Sequence, residues 1–254
     1  MSALDRIQSD RRPTHLNCVP SVANRVEQRL EQNDSKLADL KILGCGGAAM
    51  PAEQFDRFQA FGVEIIQGYG CTETAPVICS ASPGQSRPGC VGPLVDGWEA
   101  KVQSERLFVR GQCTMLGYLN DLDATARKID TDGWLDTGDL VEQNTDGTFR
   151  ILGRADDVII LDNGYKIHPQ AIESQLTQIA GIKHVVVTEV DRRVKVAVEG
   201  AVSNDAMAMI VHSMPPGTPF EIVSLTPPLS HDRGELTAKG TPRREAVRNR
   251  LVDQ

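Results

Sequence analysis

Residues 40–70 read LKILGCGGAAMPAEQFDRFQAFGVEIIQGYG, and the order of their parts decides the fold. A short apolar run, LKILG, leads into a glycine-rich turn within GCGGAAMP (44–51). Pro51 then opens a helix over 51–62, because proline is tolerated at a helix start and the acidic first turn suits the positive end of the helix dipole. A second apolar run, VEIIQGYG (63–70), ends in glycines again. Strand, glycine turn, helix, strand is the pattern of a parallel α/β layer, in which a helix carries the chain back to start the next parallel strand. Ligands of such layers sit beyond the carboxyl ends of the strands, where both glycine turns fall.

Working outward, Ser21–Glu31 reads as a helix with Val22, Val26 and Leu30 on one face. Residues 88–153 change character: short strands such as LFVRG (107–111) and FRILG (149–153) alternate with glycine turns, which predicts a small antiparallel barrel or sheet. Beyond Arg154 the pattern predicts a helix at Pro169–Ile179, strands at His184–Glu189 and Arg193–Val198, a helix at Asn204–Ser213, a strand near Phe220–Val223 and a terminal basic helix. The expected fold class is therefore α/β plus α+β. Residues 1–153 hold a partial parallel-sheet subdomain and a small β-barrel, and residues 154–254 form a separate α+β domain of a common domain size. Residues 1–90 are expected to be marginally stable alone, whereas 155–254 are expected to fold unaided.

Bulk properties narrow the function class. A net charge of −7 over 254 residues offers no global attraction for nucleic acid or an anionic membrane. The basic cluster Arg243, Arg244, Arg248 and Arg250 reads as a solvated helix face. Six cysteines without a C-x-x-C pair make a poor disulfide framework or zinc site. Reduced thiols, a charged N-terminus with no apolar core and no apolar run near the roughly 18–20 residues that span a bilayer predict a cytoplasmic protein without an integral membrane segment.

The strings GCGGAAMP (44–51), GYGCTET (68–74), CVGPLVDGWEAKV (90–102), LFVRGQCTMLGYLND (107–121), DGWLDTGDL (132–140) and GRADDVIILDNGYKIHPQAIE (153–173) resemble, in order and spacing, the motifs of the adenylate-forming (AMP-binding) enzymes of the acyl/aryl-CoA synthetase type. Each string alone is a weak signal; together they cover most of the chain. The resemblance implies an ATP-dependent acid–CoA ligase: a carboxylic acid and ATP give an acyl-adenylate, then coenzyme A gives the thioester and AMP.

It also assigns sites. Gly46, Gly47 and Ala48 lack bulk, so their backbone can approach a flat base and bond its edge. Gly68, Tyr69 and Gly70 continue that surface, with the Tyr69 ring available for stacking. Thr72 can donate to a phosphate oxygen, and Glu73 is a hard oxygen ligand suited to magnesium. Asp139 can accept from both ribose hydroxyls, and the fork of Arg154 suits ribose or phosphate. Read singly, GGA is a plain strand–helix turn, Tyr69 a core tyrosine and Asp139 a turn aspartate. Asp156 matches a hinge about which the small domain rotates, bringing Gly164, Tyr165 and Lys166 to the site for the second half-reaction. Lys239, in GELTAKGTPRREAV (234–247), matches the late lysine that bridges carboxylate and nucleotide in the adenylation transition state. That string departs from the commoner form, in which glycine precedes the lysine.

The family's Ser/Thr/Gly-rich phosphate loop ending in Pro-Lys-Gly has no counterpart before Leu40. The expectation is a C-terminal portion only, with the N-terminal half elsewhere, as a separate partner or a lost segment, and with adenylation by the isolated chain very slow. A catalytically inactive AMP/ATP-binding or interaction module is the alternative from another class. A carrier-loading adenylation domain and, well behind it, a luciferase-like oxidoreductase are the alternatives among enzymes.

Overall fold

The computed structural model describes residues 12–47, 50–238 and 240–252. Ala48 and Lys239, two of the expected site residues, lie outside the described residues. The chain divides into two compact units, Met1–Ile151 and Leu152–Gln254.

The first unit begins with β1 (His15–Cys18), α1 (Pro20–Glu31), β2 (Ile42–Gly46), α2 (Ala52–Ala60), β3 (Glu64–Tyr69) and β4 (Cys79–Ser80). These strands form one sheet in the order β1-β2-β3-β4. β1, β2 and β3 run parallel, and β4 is antiparallel to β3. Both helices cover one face, where Ala23, Val26, Leu43, Phe58 and Ile65 are fully buried or nearly so. At about 25 cal/mol per Å² of apolar surface, the larger of these side chains (Val26, Leu43, Phe58 and Ile65) each contribute roughly 1.5–3 kcal/mol to holding helix on sheet. A polar link crosses the same interface: the Gln54 amide donates to Asn24 at 2.7 Å and to Glu27 at 2.8 Å. Pro20 stands in the first turn of α1, whereas Pro51 precedes α2 as its N-cap instead of opening it.

The second sheet holds β5 (Trp98–Gln103), β6 (Arg106–Gly111), β7 (Leu135–Gln143) and β8 (Phe149–Arg154), in that order. Its core is Leu107, Val109, Leu135, Val141 and Phe149, joined by Ile78 and Cys79 from the first sheet's end. β5 and β8 lie at opposite edges, so the antiparallel region is an open four-stranded sheet among the described residues. A short helix, α3 (Leu122–Lys128), interrupts the region and was not expected. Asp121 starts it by accepting from the Ala124 N–H at 2.8 Å. Trp134, just before β7, lies between two cations: Lys101 Nζ is 4.3 Å from its ring centre and the Arg110 guanidinium 4.7 Å.

The second unit contains the hairpin β9 (Ile159–Ile160) and β10 (Lys166–Ile167), then α4 (Pro169–Leu176), β11 (Ile182–Val190), β12 (Arg193–Gly200), α5 (Asn204–Ser213), β13 (Phe220–Ser224) and α6 (Arg244–Val252). Its sheet runs β11-β12-β13, antiparallel then parallel. One face packs on α4 and α5 through Ile172, Leu176, Val187, Val196 and Ile210. The other face packs on α6 through Val186, Ala197, Val247 and Leu251.

Two buried acids brace this unit. Glu235 accepts from Arg233 at 2.9 Å and from Arg250 at 3.0 Å. Glu199 accepts from Lys183 at 2.9 Å, the Leu229 N–H at 3.0 Å and the His184 ring at 3.0 Å. Burial on its own would raise the Glu199 carboxyl, but the His184, Lys183 and Leu229 contacts overcome it and hold the group at about 2, against an ordinary 4.5. A carboxyl depressed in the folded state adds stability that is complete above its unfolded value and is shed on acidification. Urea denaturation followed by far-UV circular dichroism is therefore expected to show the parent losing stability as pH falls from about 4.5 toward 2. Glu199→Gln is expected to lose that part of the pH dependence.

The terminal helix corrects the reading of its arginines as a solvated face. Arg248 is exposed, but Arg250 reaches Glu235, and Arg244 bonds Glu173 through both terminal nitrogens at 2.5 and 3.0 Å. Val247 is buried, and Arg244, three positions before it, shares its face of the helix.

Candidate active site

The parallel register sets the site. Gly46 at the end of β2 is the register partner of Gly68 in β3, so the two glycine-rich turns lie side by side at the carboxyl ends of neighbouring strands. Gly47 follows with φ of 87°, a left-handed conformation that favours glycine. Among the described residues, a side chain at Gly46 would meet the Gly68 carbonyl, 3.6 Å away, at ordinary contact distance.

Gly70 is a different case. A Cβ there would stand 1.9 Å from the Pro76 carbonyl oxygen and 2.7 Å from its carbon, both backbone atoms that cannot rotate away. Gly70→Ala must displace the 70–78 loop, and overpacking of this kind costs about 1–3 kcal/mol. Chemical denaturation followed by the fluorescence of Trp98 and Trp134, both in the first unit, is expected to show that loss.

After β3 the chain turns through a short 3-10 segment, Thr72–Thr74. The fully buried Thr74 closes it: its hydroxyl accepts from the Cys71 N–H at 3.0 Å and donates to the Cys71 carbonyl at 2.9 Å. That closure leaves Thr72 exposed and Glu73 half-buried. The Tyr118 hydroxyl donates to Glu73 at 2.8 Å, and the Met115 N–H donates to the Glu73 carbonyl at 2.8 Å, so the LGY segment clasps the turn. Partial burial alone would raise the Glu73 carboxyl. The Tyr118 hydroxyl leads the contacts that outweigh burial and hold the group below the ordinary carboxylate range. Sequence reading missed Tyr118, which lies within LFVRGQCTMLGYLND (107–121).

Asp139 reaches the same place from β7. Asp139 is 8% exposed, and its carboxylate accepts from the Tyr69 hydroxyl at 2.5 Å. Thr137 sets the strand locally: its hydroxyl donates to the Leu107 carbonyl at 2.8 Å and accepts from the Asp139 N–H at 3.1 Å. Burial first, and then the Asp139 charge, push the Tyr69 phenol well above its ordinary value, so it stays a proton donor. The structure thus brings Gly46, Gly47, Gly68, Tyr69, Gly70, Thr72, Glu73 and Asp139 into one unit, with Tyr69 joined to Asp139 and Glu73 joined to Tyr118.

The remaining expected residues lie in the second unit. Arg154 is exposed and precedes the turn Ala155–Asp157. Gly164, with φ of 82°, closes the β9–β10 hairpin loop, its N–H donating to the Leu161 carbonyl at 2.8 Å. Lys166 opens β10 and is exposed, as is its neighbour Tyr165. A cavity of about 730 Å³ borders the segments flanking position 239, with Gly234, Thr241 and Pro242 among its lining residues.

Magnesium can be tested against the donors. Among the described residues no group of three or more His, Cys, Asp and Glu side chains could hold a metal ion. Magnesium that rides on a nucleotide takes one or two carboxylates, with phosphates and water as its other ligands, and a single carboxylate such as Glu73 is compatible with that. No helix among the described residues is long and apolar enough to cross a membrane.

The family model for AMP-binding enzymes matches residues 4–119. A 4-coumarate–CoA ligase-like protein of Oryza sativa is 33% identical over 68% of this chain and 31% of its own length. The luciferin 4-monooxygenase of Photinus pyralis is 37% identical over 56% of this chain and 28% of its own. The crystal structure of ATP-bound MatB from Rhodopseudomonas palustris superposes with a TM-score of 0.82 at 23% identity, covering 98% of this chain and 52% of that one. At that identity the likeness establishes the fold. The chain spans about a third or less of these two relatives and about half of that structure. Motif order, fold and the family match over residues 4–119 converge on the adenylate-forming, AMP-binding enzymes.

Proposed function

We propose that this chain is part of an ATP-dependent acid–CoA ligase, and that its first unit holds the AMP moiety. The observation that carries the reading is the register pairing of Gly46 with Gly68, with Tyr69 and Asp139 hydrogen-bonded immediately beside it. In this reading the backbone of Gly46, Gly47 and Ala48 bonds the adenine edge, and the ring of Tyr69 lies along the base. Asp139, fixed by Tyr69 and Thr137, accepts from the ribose hydroxyls. Thr72, exposed at the turn, donates to the α-phosphate. Glu73, held ionised and oriented by Tyr118, would hold magnesium, which when bound offsets phosphate charge. Arg154 contributes a ribose or phosphate contact, Lys239 neutralises charge as the carboxylate attacks, and Gly164 and Lys166 serve the step in which the coenzyme A thiol displaces AMP.

A nucleotide-binding module without adenylation chemistry is the second reading; these 254 residues contain no Pro-Lys-Gly-terminated phosphate loop. It would keep Tyr69, Glu73, Asp139 and Arg154 in the same roles. ATP–pyrophosphate exchange and thioester formation by the native polypeptide, isolated from its source cells with an antibody to the second unit, separate the two. Exchange that depends on a carboxylic acid supports the ligase. AMP binding with no exchange supports the module, and absence of AMP binding removes both.

A further inference from the structure

Cys18 and Cys45 are register partners at the carboxyl ends of the parallel strands β1 and β2. Neighbouring strands lie about 4.7–4.9 Å apart, within the roughly 4.4–6.8 Å that separates the Cα atoms of a disulfide. Register partners in a parallel ladder project to the same face, and here both side chains join the cluster under α1 and α2. Their accessibility differs: Cys45 is 2% exposed, whereas Cys18 is half-buried and open in part to solvent. The geometry points to Cys18 and Cys45 as a peroxide-oxidisable pair that closes to a reversible disulfide, tying β1 to β2 immediately ahead of Gly46.

The two thiols are already unequal. A hydrogen bond from Cys45 lowers the Cys18 thiol against the opposing effect of burial, and the same contact raises Cys45. The more accessible sulfur is therefore the one favoured as thiolate, and the buried one keeps the proton. Cys18 thiolate attacks one oxygen of hydrogen peroxide: an S–O bond forms, the O–O bond breaks, and the leaving hydroxide takes up a proton as water. Cys45 sulfur then attacks the Cys18 sulfenic sulfur: the S–S bond forms, the S–O bond breaks, and hydroxide leaves with the Cys45 proton as a second water. Two thiols are oxidised and one peroxide is reduced to two waters. No other pair of cysteines shares a register position among the described residues, although Cys79 and Cys90 are both buried and near enough to interact electrostatically.

The test is a peptide map of the full reduced chain after treatment with hydrogen peroxide, blocking of free thiols, and digestion. The expected result is a Cys18–Cys45 linked peptide, lighter by two hydrogens than its separate parts and released by dithiothreitol. It should form before Cys71, Cys79, Cys90 or Cys113 reacts. In Cys45→Ser, Cys18 has no resolving partner and is expected to proceed to sulfinic acid, which dithiothreitol does not reverse. Sulfinic acid at Cys18 of the parent with Cys45 still free, or linkage of either residue to a different cysteine, overturns the assignment. The parent map decides even where the variant fails to fold.

Discussion

Asp139→Ala weakens AMP binding by about tenfold to a hundredfold, as isothermal titration calorimetry of the parent and variant should show. Hydrogen bonds to a charged acceptor are worth roughly 1.5–3 kcal/mol each, and about 1.4 kcal/mol is a factor of ten. Asp139 is buried enough for water to replace those bonds poorly, at 8% exposure. Its rotamer is also fixed before nucleotide arrives, since Tyr69 holds one oxygen at 2.5 Å. Asp139→Asn retains an acceptor for Tyr69 but loses the charge and half the accepting capacity, so its affinity should fall between parent and alanine variant. Tyr69→Phe removes the hydroxyl and keeps the ring. If the ring lies along the base, the loss there should stay within a few-fold. The opposite ranking, with Tyr69→Phe severe and Asp139→Ala mild, would move the ribose contact away from Asp139. Circular dichroism of each variant separates lost binding from lost folding.

The parts of the fold legible in sequence were those written in local pattern. β2, α2 and β3 lie where strand, glycine turn, helix and strand succeed one another, and α5 spans Asn204–Ser213 as its pattern predicts. Other features depend on contacts distant in sequence. Tyr69 and Asp139 each belong to a readable motif, but nothing local says that they bond to one another. The same holds for Glu73 and Tyr118. α3 escaped because it has no buried residue and therefore no apolar stripe; its signs were the capping Asp121, the acidic Asp123 in its first turn and the basic Arg127 and Lys128 in its last. The arginines of α6 carried a usable signal that composition masked. Arg244 precedes the buried Val247 by three positions, which places it on the inward face, while counting charges suggested a wet one.

That inward arginine carries the largest stability effect expected in the second unit. Arg244 joins four segments: its terminal nitrogens bond both oxygens of Glu173 on α4 and the Val187 carbonyl on β11, and its Nε lies 3.1 Å from Asp157, all from the first position of α6. Glu173 also accepts from the Val187 N–H at 2.7 Å, so one carboxylate serves both helix and strand. Arg244→Ala leaves Glu173, with its side chain 16% exposed, without its cation in a site that water reaches poorly. Breaking one side of a buried pair costs roughly 3–5 kcal/mol, and the partial exposure of Arg244 places this case at about 3. Hydrogen exchange of the β11 amides, Ile182–Val190, should then quicken by about a hundredfold where exchange requires the unit to open. Arg244→Lys keeps the charge but cannot form the two-pronged contact, and should recover only part of the protection. A double variant, Arg244→Ala with Glu173→Gln, removes the uncompensated charge as well as the pair and leaves the packing of the single variant unchanged. If the loss in Arg244→Ala comes from stranding Glu173, the double variant exchanges more slowly than the single one. If it comes from the missing packing of the arginine stem alone, restoring charge balance changes nothing, and the bracing role assigned to the ion pair falls.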